Sequence, residues 1–184
     1  MIGLKTAIIC HNYSKILERG EKRSMVTDET SKIILSRLAA NARVSMSELA
    51  KELGCSVSTI HKRIKQLEDS GIIEQFTIIT NSELTGEITA FIGIVIENGD
   101  VTGVVDELKK RPDILEIYET LEPYDIFLKV RTTDIHTLKN ELINPISEID
   151  GVVEIRSILT TRRHKEQTTK IGMNVKEDLR SLNV

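Results

Sequence analysis

The sequence predicts an α+β protein: an N-terminal winged helix-turn-helix followed by a ferredoxin-like βαββαβ domain. Three observations carry this. Capping signals set two short helices one tight turn apart between residues 45 and 71. Residues 88–96 alternate as a strand that is apolar on both faces. From there the pattern runs strand, helix, strand, strand, helix, strand. At 184 residues the chain is long enough for two small domains.

The elements of the first half follow from local chemistry. Thr27 and Asp28 are N-cap candidates for a helix carrying Ile34, Leu35 and Leu38, which "ANARVS" ends. "SMSE" places Ser45 and Glu48 three apart, a capping box that opens a second helix through Leu49, Ala50 and Leu53, stopped at Gly54. Ser56 caps the third helix, and Gly71 ends it. Val57, Ile60, Ile64 and Leu67 share one face and are expected to anchor it. "IIEQFTIIT" (72–80) reads as β-rich and is expected to form the wing.

The third helix then presents Ser58, Thr59, Lys62, Arg63 and Lys65 away from its apolar face. On the second helix of a tight pair, that is the chemistry of an element entering the major groove of double-stranded DNA. Hydroxyls at Ser45, Ser56, Ser58 and Thr59 suit phosphates or base edges, and the Lys/Arg run neutralises backbone charge. His61 either faces the groove with them or packs beside Ile60 and Ile64. Cys55 reads as a small apolar residue in the turn.

After the polar stretch 81–87, expected to be a linker, Ile88, Ala90, Ile92, Ile94 and Ile96 point one way, and Phe91, Gly93 and Val95 the other. A helix follows through Val101, Val104, Val105 and Leu108, ended by Pro112. "ILEIYETL" and "YDIFLKVRT" are strands joined at Glu122-Pro123. A second helix runs through Ile135, Leu138 and Leu142, with Pro145 expected to break or kink it, and "GVVEIRSILTTRR" closes the sheet. Two helices cover one face of such a sheet. Apolar residues on both faces of 88–96 therefore predict that the other face meets a second copy.

Composition fits this division. Hydrophobic residues make up 40% and charged residues 29%, as in an ordinary globular protein. The net charge of -3 conceals an uneven spread. Residues 1–25 carry five Lys/Arg against two Asp/Glu, 26–80 seven of each, 81–164 nine against sixteen, and 165–184 four against three. These boundaries mark an N-terminal extension (1–25), the DNA-binding domain (26–80), the linker (81–87), the second domain (88–164) and a tail (165–184). No apolar run approaches a membrane span. Cys10 and Cys55 have no metal-ligand spacing, so no metal or cofactor is expected, and a reduced cytoplasmic setting suits them. No nucleophile motif points to an enzyme. Gly20-Glu21 can be encoded by a purine-rich stretch just before Met25, which makes Met25 a candidate start. The alternative is a basic arm of net +3 that touches phosphates.

The run "DETSKIILSRLAANARVSMSELAKELGCSVSTIHKRIKQLEDSGIIEQFTIIT", together with "YDIFLKV" further on, resembles the Lrp/AsnC (feast/famine) family of transcription regulators over about Thr27 to Lys165. The resemblance implies a sequence-specific DNA-binding regulator that is a homodimer through the second domain, often assembled further into octamers. It also implies an amino acid or related metabolite bound near the loop Leu121, Glu122, Pro123, Tyr124 and Asp125. The family's Gly-Asp before Tyr-Asp is Glu122-Pro123 here. Glu122 repels a ligand carboxylate and attracts an ammonium group, while Pro123 removes a backbone donor. Two rival readings differ in class. An architectural protein would coat DNA without selecting sites. Siroheme decarboxylases resemble the same architecture, but where they carry His-Asn-Tyr on the second strand this chain has Glu116-Ile117-Tyr118.

Overall fold

The structure, a computed structural model, describes residues 28–97 and 101–169. The extension at 1–25, the start at Met25 and most of the tail lie outside the described residues. The chain divides into two compact units, with boundaries between residues 79 and 80 and between 166 and 167.

In the first unit, α1 spans Glu29–Ala40, α2 Met46–Glu52 and α3 Val57–Asp69. The expected caps are in place. Asp28 Oδ1 accepts from the Ser31 amide at 2.7 Å. At α2 both arms of the box form, Glu48 N to Ser45 Oγ at 3.0 Å and Ser45 N to Glu48 Oε2 at 3.3 Å. Gly54, with φ 62°, lets the chain turn from α2 into α3 in a conformation that L side chains rarely adopt. Ile34, Leu38, Leu49, Ala50, Ile60, Ile64 and Leu67 form the core between the three helices. Arg37 clamps Glu52, Nε reaching both carboxylate oxygens at 3.0 and 3.1 Å, and so ties α1 to α2.

Two expectations for this unit are corrected. Val57, the first residue of α3, is 40% exposed and stands outside the cluster that the other three residues of its expected face join. No strand forms over 72–80: among the described residues no strand ladder pairs with this segment, and an extended backbone without a ladder partner is not a strand. Phe76 and Ile78 are exposed along it.

The second unit opens with a short helix, α4 (Ser82–Thr85), where a plain linker was expected. Asn81 caps it, and Gly86 ends it with φ 76°. Strands β1 (Ile88–Ile96), β2 (Ile114–Glu119), β3 (Ile126–Thr132) and β4 (Val152–Leu159) form one antiparallel sheet in the order β2-β3-β1-β4. Helix α5 (Val101–Leu108) joins β1 to β2. It ends before a turn, so Pro112 lies beyond its last residue rather than stopping it.

Between β3 and β4 the chain stays helical past Pro145: α6 (Ile135–Thr137), a π-helical stretch (Leu138–Ile143) and α7 (Asn144–Ser147). The expected break is thus replaced by a local widening of the helix. The Glu141 carbonyl, whose α-helical donor would be the missing Pro145 amide, accepts from Arg111 Nη1 at 3.2 Å. Ala90, Ile92, Ile94 and Ile96 on β1, with Ile126, Leu128 and Val130 on β3, pack against Val104, Leu108, Leu142 and Ile146. All of these face the helices. The opposite face carries Phe91, Val95, Phe127 and Ile158.

Candidate DNA interface and ligand loop

Helix α3 divides its polar residues into two groups. Ser56 Oγ accepts from Thr59 N at 3.1 Å and contacts the hydroxyls of Ser58 and Thr59, each at 2.8 Å. This hydroxyl knot closes the start of the helix, as Ser45 closes the start of α2. Ser58, His61, Lys62 and Lys65 are exposed, and among the described residues Lys62 and Lys65 make no ion pair. Ile60 and Ile64 fill the core, and His61 is exposed rather than packed among them.

Arg63 behaves differently. Its Nη1 lies 2.5 Å from Asp28 Oδ2 and 3.4 Å from Ser31 Oγ, so it turns back onto the first turn of α1. The Arg63 guanidinium, helped by the Ser31 amide, holds the Asp28 carboxyl below the usual carboxylate range. One carboxylate therefore caps α1 and ties it to α3. The sequence carried no signal for this, because the partners are 35 positions apart.

The loop 121–125 is pinned at its base. Asp125 N donates to the Ile94 carbonyl at 2.9 Å, and Asp125 Oδ2 accepts from Ile96 N at 2.8 Å. Thr120 Oγ1 donates to the Tyr124 carbonyl at 2.5 Å. The Asp125 carboxylate thus fixes the loop to β1. Leu121, Glu122 and Pro123 are exposed at the tip, and Tyr124 is half-buried. Sequence reasoning missed the role of Gly93: a Cβ there would fall 2.5 Å from the Tyr124 ring, so only glycine lets that ring lie against the strand. A glycine inside a strand is the signal that could have found it. Tyr124 stacks on Phe127 (centroids 6.1 Å apart) and Phe127 on Phe91 (5.8 Å), a row that runs from the loop across the uncovered face.

A capped helix pair presenting a lysine-bearing second helix, joined to a separate βαββαβ unit, defines a DNA-binding protein with a sensory domain. Comparison with known proteins gives the same division. A family model for winged helix-turn-helix DNA-binding matches residues 27–74, and one for the Lrp/AsnC ligand binding domain matches 89–170. The chain is 37% identical over 144 residues to the HTH-type transcriptional regulator FL11 of Pyrococcus furiosus, covering 78% of this chain and 95% of that one. It is 32% identical over 145 residues to the regulatory protein AsnC of Escherichia coli K12, again 78% and 95%.

Among solved structures, E. coli AsnC superposes with a TM-score of 0.68 at 31% identity, covering 78% of this chain and 98% of that one. The Neisseria meningitidis transcriptional regulator NMB0573, solved as a complex with L-Met, superposes with a TM-score of 0.68 at 25% identity, covering 78% and 95%. The chain belongs to the Lrp/AsnC family: it is a helix-turn-helix transcriptional regulator with a ligand-binding domain. Among the described residues, no helix is long and apolar enough to cross a membrane.

Proposed function

We propose that this regulator works in the cytoplasm as a homodimer on double-stranded DNA, reading sites with α3 and responding to an amino acid at the loop 121–125. The observation that carries the DNA part is the exposed strip Ser58, His61, Lys62 and Lys65 on a helix whose other face is locked into the core. Lys62 and Lys65 meet phosphates, and Ser58 and His61 lie toward base edges. Ser45, Ser56 and Thr59 are within reach of phosphates as well, but their first task is to cap the helices. Arg63, expected among the DNA contacts, is engaged by Asp28 and ties α3 to α1. The aromatic row on the uncovered sheet face supports the dimer, since a partner sheet would remove Phe91, Phe127 and Ile158 from water.

The L-Met complex of the Neisseria relative supports an amino acid as the class of effector. Glu122 at the exposed tip selects a side chain carrying a second ammonium or a guanidinium, as in lysine or arginine. The test of the reading is a footprint on DNA from the protein's own promoter region, with affinity measured against random duplex at one salt concentration. A regulator should prefer its site by at least about a thousandfold. A ratio near one would leave an architectural protein that coats DNA.

A further inference from the structure

A groove of about 540 Å³ runs along the first unit, between the end of α1 and the extended segment 72–79. Leu38, Ala39 and Ala42 form one wall, Ile73, Phe76 and Ile79 the other. Thr168 and Thr169 line it as well, and every one of these residues belongs to the first unit. The second wall is apolar yet open to water, with Phe76 and Ile79 both exposed. Its backbone is open too. Among the described residues, no amide from Glu74 to Ile79 donates to a backbone carbonyl. An apolar face beside a free backbone edge suits an added strand, which satisfies both at once.

The same chain carries a segment of that chemistry. Residues 170–184 lie outside the described residues and continue from Thr169, at the groove itself. Ile171, Met173 and Val175 alternate with Gly172, Asn174 and Lys176, the period-2 pattern of a strand with one apolar face. The N-terminal extension also has apolar residues, but it enters at Asp28. Ten residues of helix rise, roughly 15 Å, separate that point from Leu38. The family match ends at residue 170, so it covers none of the three apolar side chains.

We propose that residues 171–175 add as a strand to the segment 74–79 of their own chain, with Ile171, Met173 and Val175 turned into the groove. The wing expected at 72–80 is then completed by the chain's other end. The three-helix core is already closed by its own side chains, so the tail orders the wing and leaves α3 as it is.

The test is amide hydrogen exchange on the full chain, read on peptides covering 74–79, with α3 as reference. Removing 170–184 should speed exchange at 74–79 about tenfold or more and change α3 less than about twofold. Met173→Asp and Val175→Asp should act in the same direction, while Asn174→Asp, on the outward face, should not. Removing 1–25 instead should leave 74–79 protected; faster exchange there would seat the N-terminal extension in the groove and overturn the proposal. Equal exchange at 74–79 with and without the tail would overturn it too. If removing the tail also strips protection from α3, the single substitutions carry the test. Loss of α3 protection in those as well would make the tail part of the helical core and defeat the strand reading. Mixing intact chains with isotopically heavy chains lacking 170–184 shows whose tail is bound. Protection must stay with the intact chains, and its appearance in the shortened ones would assign the tail to a second copy.

Discussion

Helix α3 and strand β1 each bury one face and leave the other open, and the open faces differ in kind. On α3, Ile60, Ile64 and Leu67 go into the core while Ser58, His61, Lys62 and Lys65 stay in water. On β1, Ala90, Ile92 and Ile94 go into the core, and the opposite face carries Phe91, Gly93 and Val95. Hydrated cations without local partners attract a polyanion, whereas aromatic rings on a sheet need another apolar surface. The sheet also has cations, but Lys129, Arg131 and Arg163 are already engaged by Glu166. What an open face binds is set by which of its groups the fold has left unsatisfied.

The largest effect should come from placing a charge on either side of β1. Ile92→Asp buries an unpaired carboxylate at a site with no solvent access and should cost several kcal/mol, enough to unfold the second unit. Phe91→Asp, one residue away, should lower the melting temperature far less, through the lost stacking on Phe127 and the lost partner, and give monomers by light scattering. Wild-type protein that is monomeric at micromolar concentration would break the comparison, because the apolar face would then have no partner.

A smaller effect separates the basic residues of α3. Lys62→Ala and Lys65→Ala should each lower the slope of log affinity against log salt by about one unit, with no change in melting. Arg63→Ala should do the reverse: the DNA-binding unit loses up to about 1 kcal/mol, since its partner is partly solvated, and the salt slope stays put. If Arg63→Ala lowers the slope as the lysine changes do, Arg63 belongs to the DNA-contacting group.

The smallest effect concerns the loop tip. Millimolar lysine or arginine should raise the melting temperature of wild-type protein by a few degrees, and Glu122→Gln should abolish the rise. Stabilisation by leucine or methionine that survives Glu122→Gln would show that the exposed carboxylate plays no part in selection.

Much of this molecule was legible one turn at a time. Asp28, Ser45 and Ser56 cap the helices the sequence pointed to, and the alternation of 88–96 places every residue of β1 on its observed face. Such features depend on neighbours within three or four positions, whose geometry a helix or strand fixes in advance. The tertiary structure decided the rest. It gave Arg63 a partner on α1, exposed Val57, widened the helix at Pro145, set the Tyr124 ring on Gly93 and gathered three cations around Glu166. It also left 72–80 without a strand, although the residue pattern there favours one. A charge run reads the same whether its members end beside a distant carboxylate or in water. Only the packing of elements far apart in the chain determines which of them stays free to bind.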